Sequence, residues 1–175
     1  MATNAIPEIL QGFEVYESGG VAVKGIVDVT LPGLEAMTET VKGAGIAGEY
    51  ETSVIGHYKA MSLSLKYRTV TEFLLSLSAP KVHALDLRGG IQSKDQATAT
   101  VRTIPIRVAV RCMPKKTEPG KFETGAGMDS SNEFNCTYLK ITFDGKEMVE
   151  IDPLNYICVI NGKDYLEELR AALGK

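Results

Sequence analysis

Residues 61–67 read MSLSLKY, an unbroken alternation of apolar and polar side chains. Met61, Leu63, Leu65 and Tyr67 fall on one face, and Ser62, Ser64 and Lys66 on the other. Period two with one wet face is the mark of a half-buried antiparallel strand. The pattern recurs in 104–112, where Ile104, Ile106, Val108, Val110 and Cys112 oppose Pro105, Arg107, Ala109 and Arg111. Pro105 cannot donate to a ladder, so it belongs at an edge or a bulge. In 136–143, Thr137, Leu139, Ile141 and Phe143 oppose Cys136, Tyr138, Lys140 and Thr142. Shorter strands are expected at 12–17, 21–30, 81–88 and 146–151, with Asp144-Gly145 as a hairpin turn between two of these runs.

Two helices interrupt the strands. In 69–77, Val70, Phe73, Leu74 and Leu77 recur at helical spacing, and Thr69 with Glu72 fits a capping box. This helix is expected to cover one opening of a small barrel or sandwich. In 164–173, Leu166, Leu169 and Leu173 form a stripe; Asp164 and Glu167 favour the helix start and Gly174 its end. Between these elements, 32–56 and 114–131 are Gly-rich and read as long projecting loops. With 175 residues, 44% of them hydrophobic, the chain 1–175 is expected to form a single domain. Its 17 glycines and seven prolines agree with a turn-rich β fold.

The formal net charge is −3, without the basic excess by which proteins neutralise phosphates. A surface past which DNA slides is compatible with that balance; a DNA-gripping module is not. Cys112, Cys136 and Cys158 are scattered and odd in number, which points to buried thiols in a reducing compartment. The opening MATNAIPEILQGFEVYE has no basic region followed by an apolar run, so no secretion leader is expected in it. No apolar run approaches a membrane helix in length, and stable membrane insertion is not expected.

Chemical motifs are sparse. Residues 43–48, Gly-Ala-Gly-Ile-Ala-Gly, match GxGxxG literally, but a dinucleotide site needs a strand before it and a helix after it. Glu49-Tyr50-Glu51-Thr52 is a poor helix start, so the segment reads as a loop suited to close backbone packing. His57 and His83 lack partners at metal-ligand spacing, and GxSxG is absent. Asp86, Glu147, Glu150 and Asp152 carry no pattern that sets them apart from a solvated face. No catalytic, metal or cofactor site is expected. A sheet protein with unfilled edges and no site suggests a chain built to associate.

Two stretches carry a family resemblance. Residues 29–48 contain Thr30-Leu31-Pro32 and then Gly43-Ala44-Gly45. Residues 137–166 contain Tyr138, Asp144-Gly145-Lys146, Glu150-Ile151-Asp152, Asn155, Asn161-Gly162 and Asp164. In this order they resemble the major tail tube proteins of contractile-tailed phages. The middle, 55–130, agrees by pattern more than by residue identity.

The resemblance implies two packed antiparallel sheets in a small barrel-like sandwich, with a flanking helix and a short C-terminal helix. It implies hexameric rings stacked into a tube, a sheath protein outside, a tape-measure protein in the lumen, and a baseplate or initiator at one end. The particle would be a virion tail assembled in the bacterial cytoplasm, with DNA passing through unbound. Leu31, Pro32, Gly43, Ala44, Gly45, Ile46 and Gly48 are then candidates for contacts between subunits or rings, together with the N-terminus. Ser62, Ser64 and Lys66 are candidates for the lumen, and Tyr138, Asp144, Gly145, Glu150, Asp152, Asn155, Asn161 and Gly162 are the motif residues. The tube of a DNA-free bacteriocin or injection system is an alternative. A monomeric ligand-binding β-barrel is another, and predicts a monomer with an apolar pocket.

Overall fold

The computed structural model describes residues 5–17 and 20–175. It is mainly β. In chain order the elements are β1 (Ala5–Glu17), β2 (Val21–Val23), β3 (Ile26–Thr30), β4 (Ala36–Lys42), β5 (Glu49–Tyr58), β6 (Met61–Tyr67), α1 (Glu72–Ser76), β7 (His83–Asp95), β8 (Val101–Glu118), β9 (Ser130–Phe143), β10 (Lys146–Asp152), β11 (Ile157–Ile160), β12 (Lys163–Asp164) and α2 (Glu167–Ala172).

Ten strands form one antiparallel sheet in the order β12-β11-β10-β9-β8-β7-β1-β2, and β6 and β3 branch from it. The branch point is β9. One edge of β9 pairs with β8 along its length, while the other pairs first with β6, from Tyr67 opposite Ser130 to Met61 opposite Cys136. Beyond that point β10 takes over, with Ile151 opposite Leu139. The β3–β6 branch thereby folds over the rest of the sheet. Leu63 and Leu65 of β6 pack with Val15 of β1, Leu85 and Leu87 of β7, Val108 and Val110 of β8, and Phe134 of β9. Two layers enclose one core, but the sheet does not close into a barrel, because its paths end at β12, β2 and β3.

The alternation in 61–67 sorts as expected, with Met61, Leu63, Leu65 and Tyr67 buried. In β8 the even-numbered residues from Ile104 to Cys112 face inward. Pro105 fits for a local reason. Its carbonyl accepts from the Asp144 amide at 2.9 Å, and β9 ends at Phe143, opposite Ile106. Amide and carbonyl of an antiparallel strand residue point the same way. The donor that Pro105 lacks would therefore face the turn beyond the end of β9.

The expected faces of 136–143 need correction. Cys136 is buried, Thr137 is exposed and Leu139 is buried again. The register explains it: Cys112 pairs with Cys136 and Arg111 with Tyr138, leaving Thr137 as the extra residue of a β-bulge. One inserted residue reverses the phase of everything before it. The strand expected over 21–30 is likewise broken into β2 and β3 at Lys24-Gly25.

α1 buries Leu74 and Leu77 of the expected face, but its cap is Thr71, whose side chain accepts from the Leu74 amide, not Thr69. The segment 32–56 is largely a paired ribbon, β4–β5, that forms a separate two-stranded sheet. Much of 114–131 continues β8 or opens β9, leaving 119–129 as the connection. Both segments are ordered by their own chain. In the second, the Lys121 amide donates to Met128 O at 2.9 Å and the Met128 amide to Arg68 O at 2.8 Å.

Candidate assembly surfaces

The ribbon forms a sheet of its own, and none of its strand residues is buried. β4 and β5 pair from Lys42–Glu49 back to Thr38–Ser53, and then β5 bulges opposite Met37 before Ala36 meets Tyr58. Residues 43–48 are its tip, where the Ile46 amide donates to Gly43 O at 3.2 Å. A strand follows this GxGxxG, not a helix, so no dinucleotide cradle forms. Gly43, Ala44, Gly45, Ile46 and Gly48 are all exposed. The ribbon also exposes Met37, Tyr50, Val54 and Ile55, an apolar load with no cover in the isolated chain. Leu31 is exposed at the ribbon's approach, but Pro32 is buried in its own subunit. The expected bridging N-terminus begins with residues 1–4, outside the described residues.

Beside the ribbon's root, β1, β3, β7 and β8 line an open groove of about 340 Å³. Ile9, Leu10, Phe13, Val29, Leu31 and Ile106 give it an apolar wall.

Ser62, Ser64 and Lys66 line the outer face of β6. Ser62 and Lys66 are exposed and Ser64 is half-buried. Cross-strand neighbours extend this face: Ser64 lies opposite Thr30 on one side and Glu133 on the other, and Ser62 opposite Asn135. Its charges are paired, Lys66 with Asp28 at 3.3 Å and Lys115 with Glu133 at 3.8 Å.

A second polar face covers the outside of β1, β7, β8, β9 and β10, and the strand patterns alone did not single it out. Asp86 accepts from Arg107 Nε at 2.7 Å and Arg88 Nη2 at 2.7 Å. Burial raises the Asp86 pKa, but the two guanidinium partners outweigh it and hold the carboxyl below its ordinary value. Arg88 lies 4.8 Å above the Tyr16 ring and Arg111 lies 4.7 Å above that of Tyr138. Lys140 pairs with Glu147 and approaches Glu150 at 3.9 Å. What the sequence could have signalled was the outward set Arg107, Ala109, Arg111 of β8, already read as the wet side of its strand.

The motif residues hold turns and strand joins. Asp144 and Gly145 both take positive φ, 50° and 76°, the type I′ geometry that suits a two-residue hairpin. Asn161 and Gly162 do the same at 52° and 80°, joining β11 to β12. Asp152 is buried, and its Oδ1 accepts from the amides of Leu154 and Asn155 at 3.1 and 3.2 Å. Its Oδ2 accepts from Asn155 Nδ2 at 2.7 Å. Tyr138 donates to Glu150.

His83 is buried, with Nδ1 2.8 Å from Glu17 Oε1 and Nε2 3.2 Å from Ala79 O. His57 Nδ1 lies 2.9 Å from Ile55 O. Among the described residues no three His, Cys, Asp or Glu side chains gather in a metal-binding group. No helix among them is long and apolar enough to cross a membrane.

Comparison with known proteins gives this architecture a lineage. Residues 7–174 match the family described as phage tail tube protein FII. The chain is 31% identical to the tail tube protein of Escherichia phage P2, over 97% of this chain and 99% of that protein. It is 27% identical to the major tail tube protein of Serratia phage KSP20, over 97% and 98%. The fold is similar to a sheath/tube terminator of PVC, an extracellular contractile injection system, with a TM-score of 0.54 at 10% identity, covering 78% of this chain and 97% of that one. The chain belongs to the phage tail tube protein FII family, and it is a structural subunit of a tail tube.

Proposed function

We propose that copies of this chain close into hexameric rings and stack into the hollow inner tube of a contractile tail. The observation that carries this reading is an isolated subunit left open in several places. Among the described residues its sheet ends in unpaired edges at β2, β3 and β12, and its projecting ribbon exposes Met37, Tyr50, Val54 and Ile55 near an uncovered apolar groove. Open edges and apolar projections are liabilities in a monomer and joints in a polymer. Closing a ring through the edges and stacking rings through the ribbon would cover both. A contact between different patches on neighbouring subunits is heterologous, and repeats into rings or helical stacks.

Within that assembly the ribbon tip, Gly43 to Gly48, and Leu31 meet a neighbouring subunit; Pro32 acts from within, shaping the approach. Ser62, Ser64 and Lys66 line the bore. Their face has paired charges and no basic excess, so a polyanion would slide past without being gripped. The number six, the sheath outside, the tape-measure protein within, the baseplate at one end and assembly in the host cytoplasm follow the family resemblance. The role is structural and has no catalytic step.

Fold likeness to a component of an extracellular contractile injection system supports a second reading, a tube that carries no DNA. Capsid and terminase genes beside the coding sequence, or their absence, separate the two.

The test is negative-stain electron microscopy of the full chain at rising concentration, alone and with baseplates from the same particle. Hollow rods or stacked rings are expected. A monomer that neither polymerises nor adds to baseplates overturns the reading in favour of a monomeric ligand-binding protein.

A further inference from the structure

β8 and β9 bring two of the three thiols together. Cys112 and Cys136 are direct register partners, 25 positions apart when both ends are counted. Both side chains point into the core, 0% and 8% exposed. Opposed residues of an antiparallel pair have Cα atoms roughly 4.5–5.5 Å apart, inside the roughly 4.4–6.8 Å that a disulfide spans. The Thr137 bulge abuts the pair and adds twist at that point. Cys158 has no such arrangement: its register partner is Ile151.

We propose that Cys112 and Cys136 are an oxidisable dithiol, converted by hydroperoxides into an intrachain disulfide that staples β8 to β9 at the branch of the sheet. The location gives the staple a structural consequence. At Cys136 the edge of β9 passes from β6 to β10, so the bond would tie both layers to one point.

The two thiols have different roles. The Cys112 thiol donates to His83 O at 3.7 Å. The neighbouring Cys112 holds the Cys136 pKa below the ordinary thiol value, against the opposing effect of burial, while Cys112 itself is raised. Cys136 is also the more exposed of the two. It is therefore the attacking thiolate. Its sulfur takes one oxygen of hydrogen peroxide, the O–O bond breaks, and the released hydroxide takes up a proton as water. Cys112 then attacks the sulfenic sulfur, the S–O bond breaks, and hydroxide leaves and gains the Cys112 proton. Two thiols and one peroxide become one disulfide and two waters. The sulfurs lose two electrons and the peroxide gains two.

The experiment treats the folded full-length chain with hydrogen peroxide, alkylates the remaining thiols after denaturation, and maps the peptides by mass. The expected product has lost two hydrogens, links the peptides carrying Cys112 and Cys136, and is alkylated at Cys158 alone. Its Tm should rise by roughly 6–12 °C, the effect of a cross-link closing a loop of this size. Cys112→Ser should leave Cys136 to accumulate as sulfenic and sulfinic acid, whereas Cys136→Ser should leave Cys112 a thiol. Three alkylated thiols after treatment, a link through Cys158, or sulfinic acid at Cys136 in the unsubstituted chain overturns the proposal.

Discussion

The Tyr138 hydroxyl donates to Glu150 Oε1 at 2.7 Å, joining β9 to β10 across the outer face of the sheet. The Arg111 guanidinium stacks on the same ring from β8, so one tyrosine binds three strands. Burial, and then the Glu150 carboxylate that accepts its proton, push the Tyr138 pKa up to about 12. An unfolded tyrosine ionises near pH 10. Between these values the unfolded chain has lost a proton that the folded chain keeps, so stability falls as pH rises. The contribution is fully present below about pH 10 and is lost by about pH 12. Urea denaturation at pH 9 and pH 11.5 should show the loss, and Tyr138→Phe should shrink it. Equal pH dependence in the two proteins would refute the assignment.

Removing the same hydroxyl at neutral pH should cost about 1.5–3 kcal/mol, the usual worth of a hydrogen bond to a charged acceptor. Tyr138→Leu should cost more, because the stacking of Arg111 goes as well. Equilibrium unfolding of the two variants side by side measures the difference.

Asp152 organises the turn between β10 and β11 through three hydrogen bonds, to Leu154 N, Asn155 N and Asn155 Nδ2. Asp152→Ala removes the acceptor from all three donors, but Leu154 and Asn155 are exposed and their donors can turn to water, so the subunit should lose about 1–2 kcal/mol. Asp152→Asn retains one acceptor oxygen and should be milder. Thermal melts of both variants decide the order.

Gly56 sits in the bulge of β5 with φ +71°, and a Cβ there would lie 2.6 Å from Leu166. Leu166 is itself buried, so it has little room to give. Gly56→Ala should cost about 1–3 kcal/mol from backbone strain and overlap together. Leu166→Ala in the same chain should relieve the overlap but not the strain. A double-mutant cycle therefore reads the steric part as a coupling energy.

Ile46 is exposed at the ribbon tip, and Ile46→Asp should leave the melting temperature of the subunit nearly unchanged. Tube growth should fall at least tenfold if a neighbour covers this tip. Rods of ordinary length from the variant would remove the tip from the contact surface.

Ser62→Cys places a thiol on the outer face of β6. In the subunit it should react with a bulky maleimide. In assembled tubes it should resist that reagent yet still react with a small one that enters the bore. Equal bulky labelling in both states would put this face on the outside.

Much of the fold was legible in period two. The inward sets of β6 and β8 follow from alternation alone, and the Asp144-Gly145 hairpin follows from the left-handed preference of its two residues. The helix face of Leu74 and Leu77 was equally clear, although its cap lay two residues further on, at Thr71. The surface set was less legible. Nothing local distinguishes Pro32, which the fold buries, from Leu31, which it exposes. The ribbon was hidden because its strands carry polar and charged residues on both sides, as in Thr38-Glu39-Thr40 and Glu51-Thr52-Ser53, so no face announces a core.

The residues by themselves determined which strands have a wet side, where the Asp144-Gly145 turn falls, and, through the order of short motifs, the tail tube family. Only the tertiary structure decided that β9 serves two partners on one edge, that Thr137 reverses the strand's phase, and that Cys112 faces Cys136. The reason is physical. Alternation is a local preference for water or core, written residue by residue. Register and branching are set by which distant strand arrives to share the hydrogen bonds, and that competition is settled only when the whole core closes.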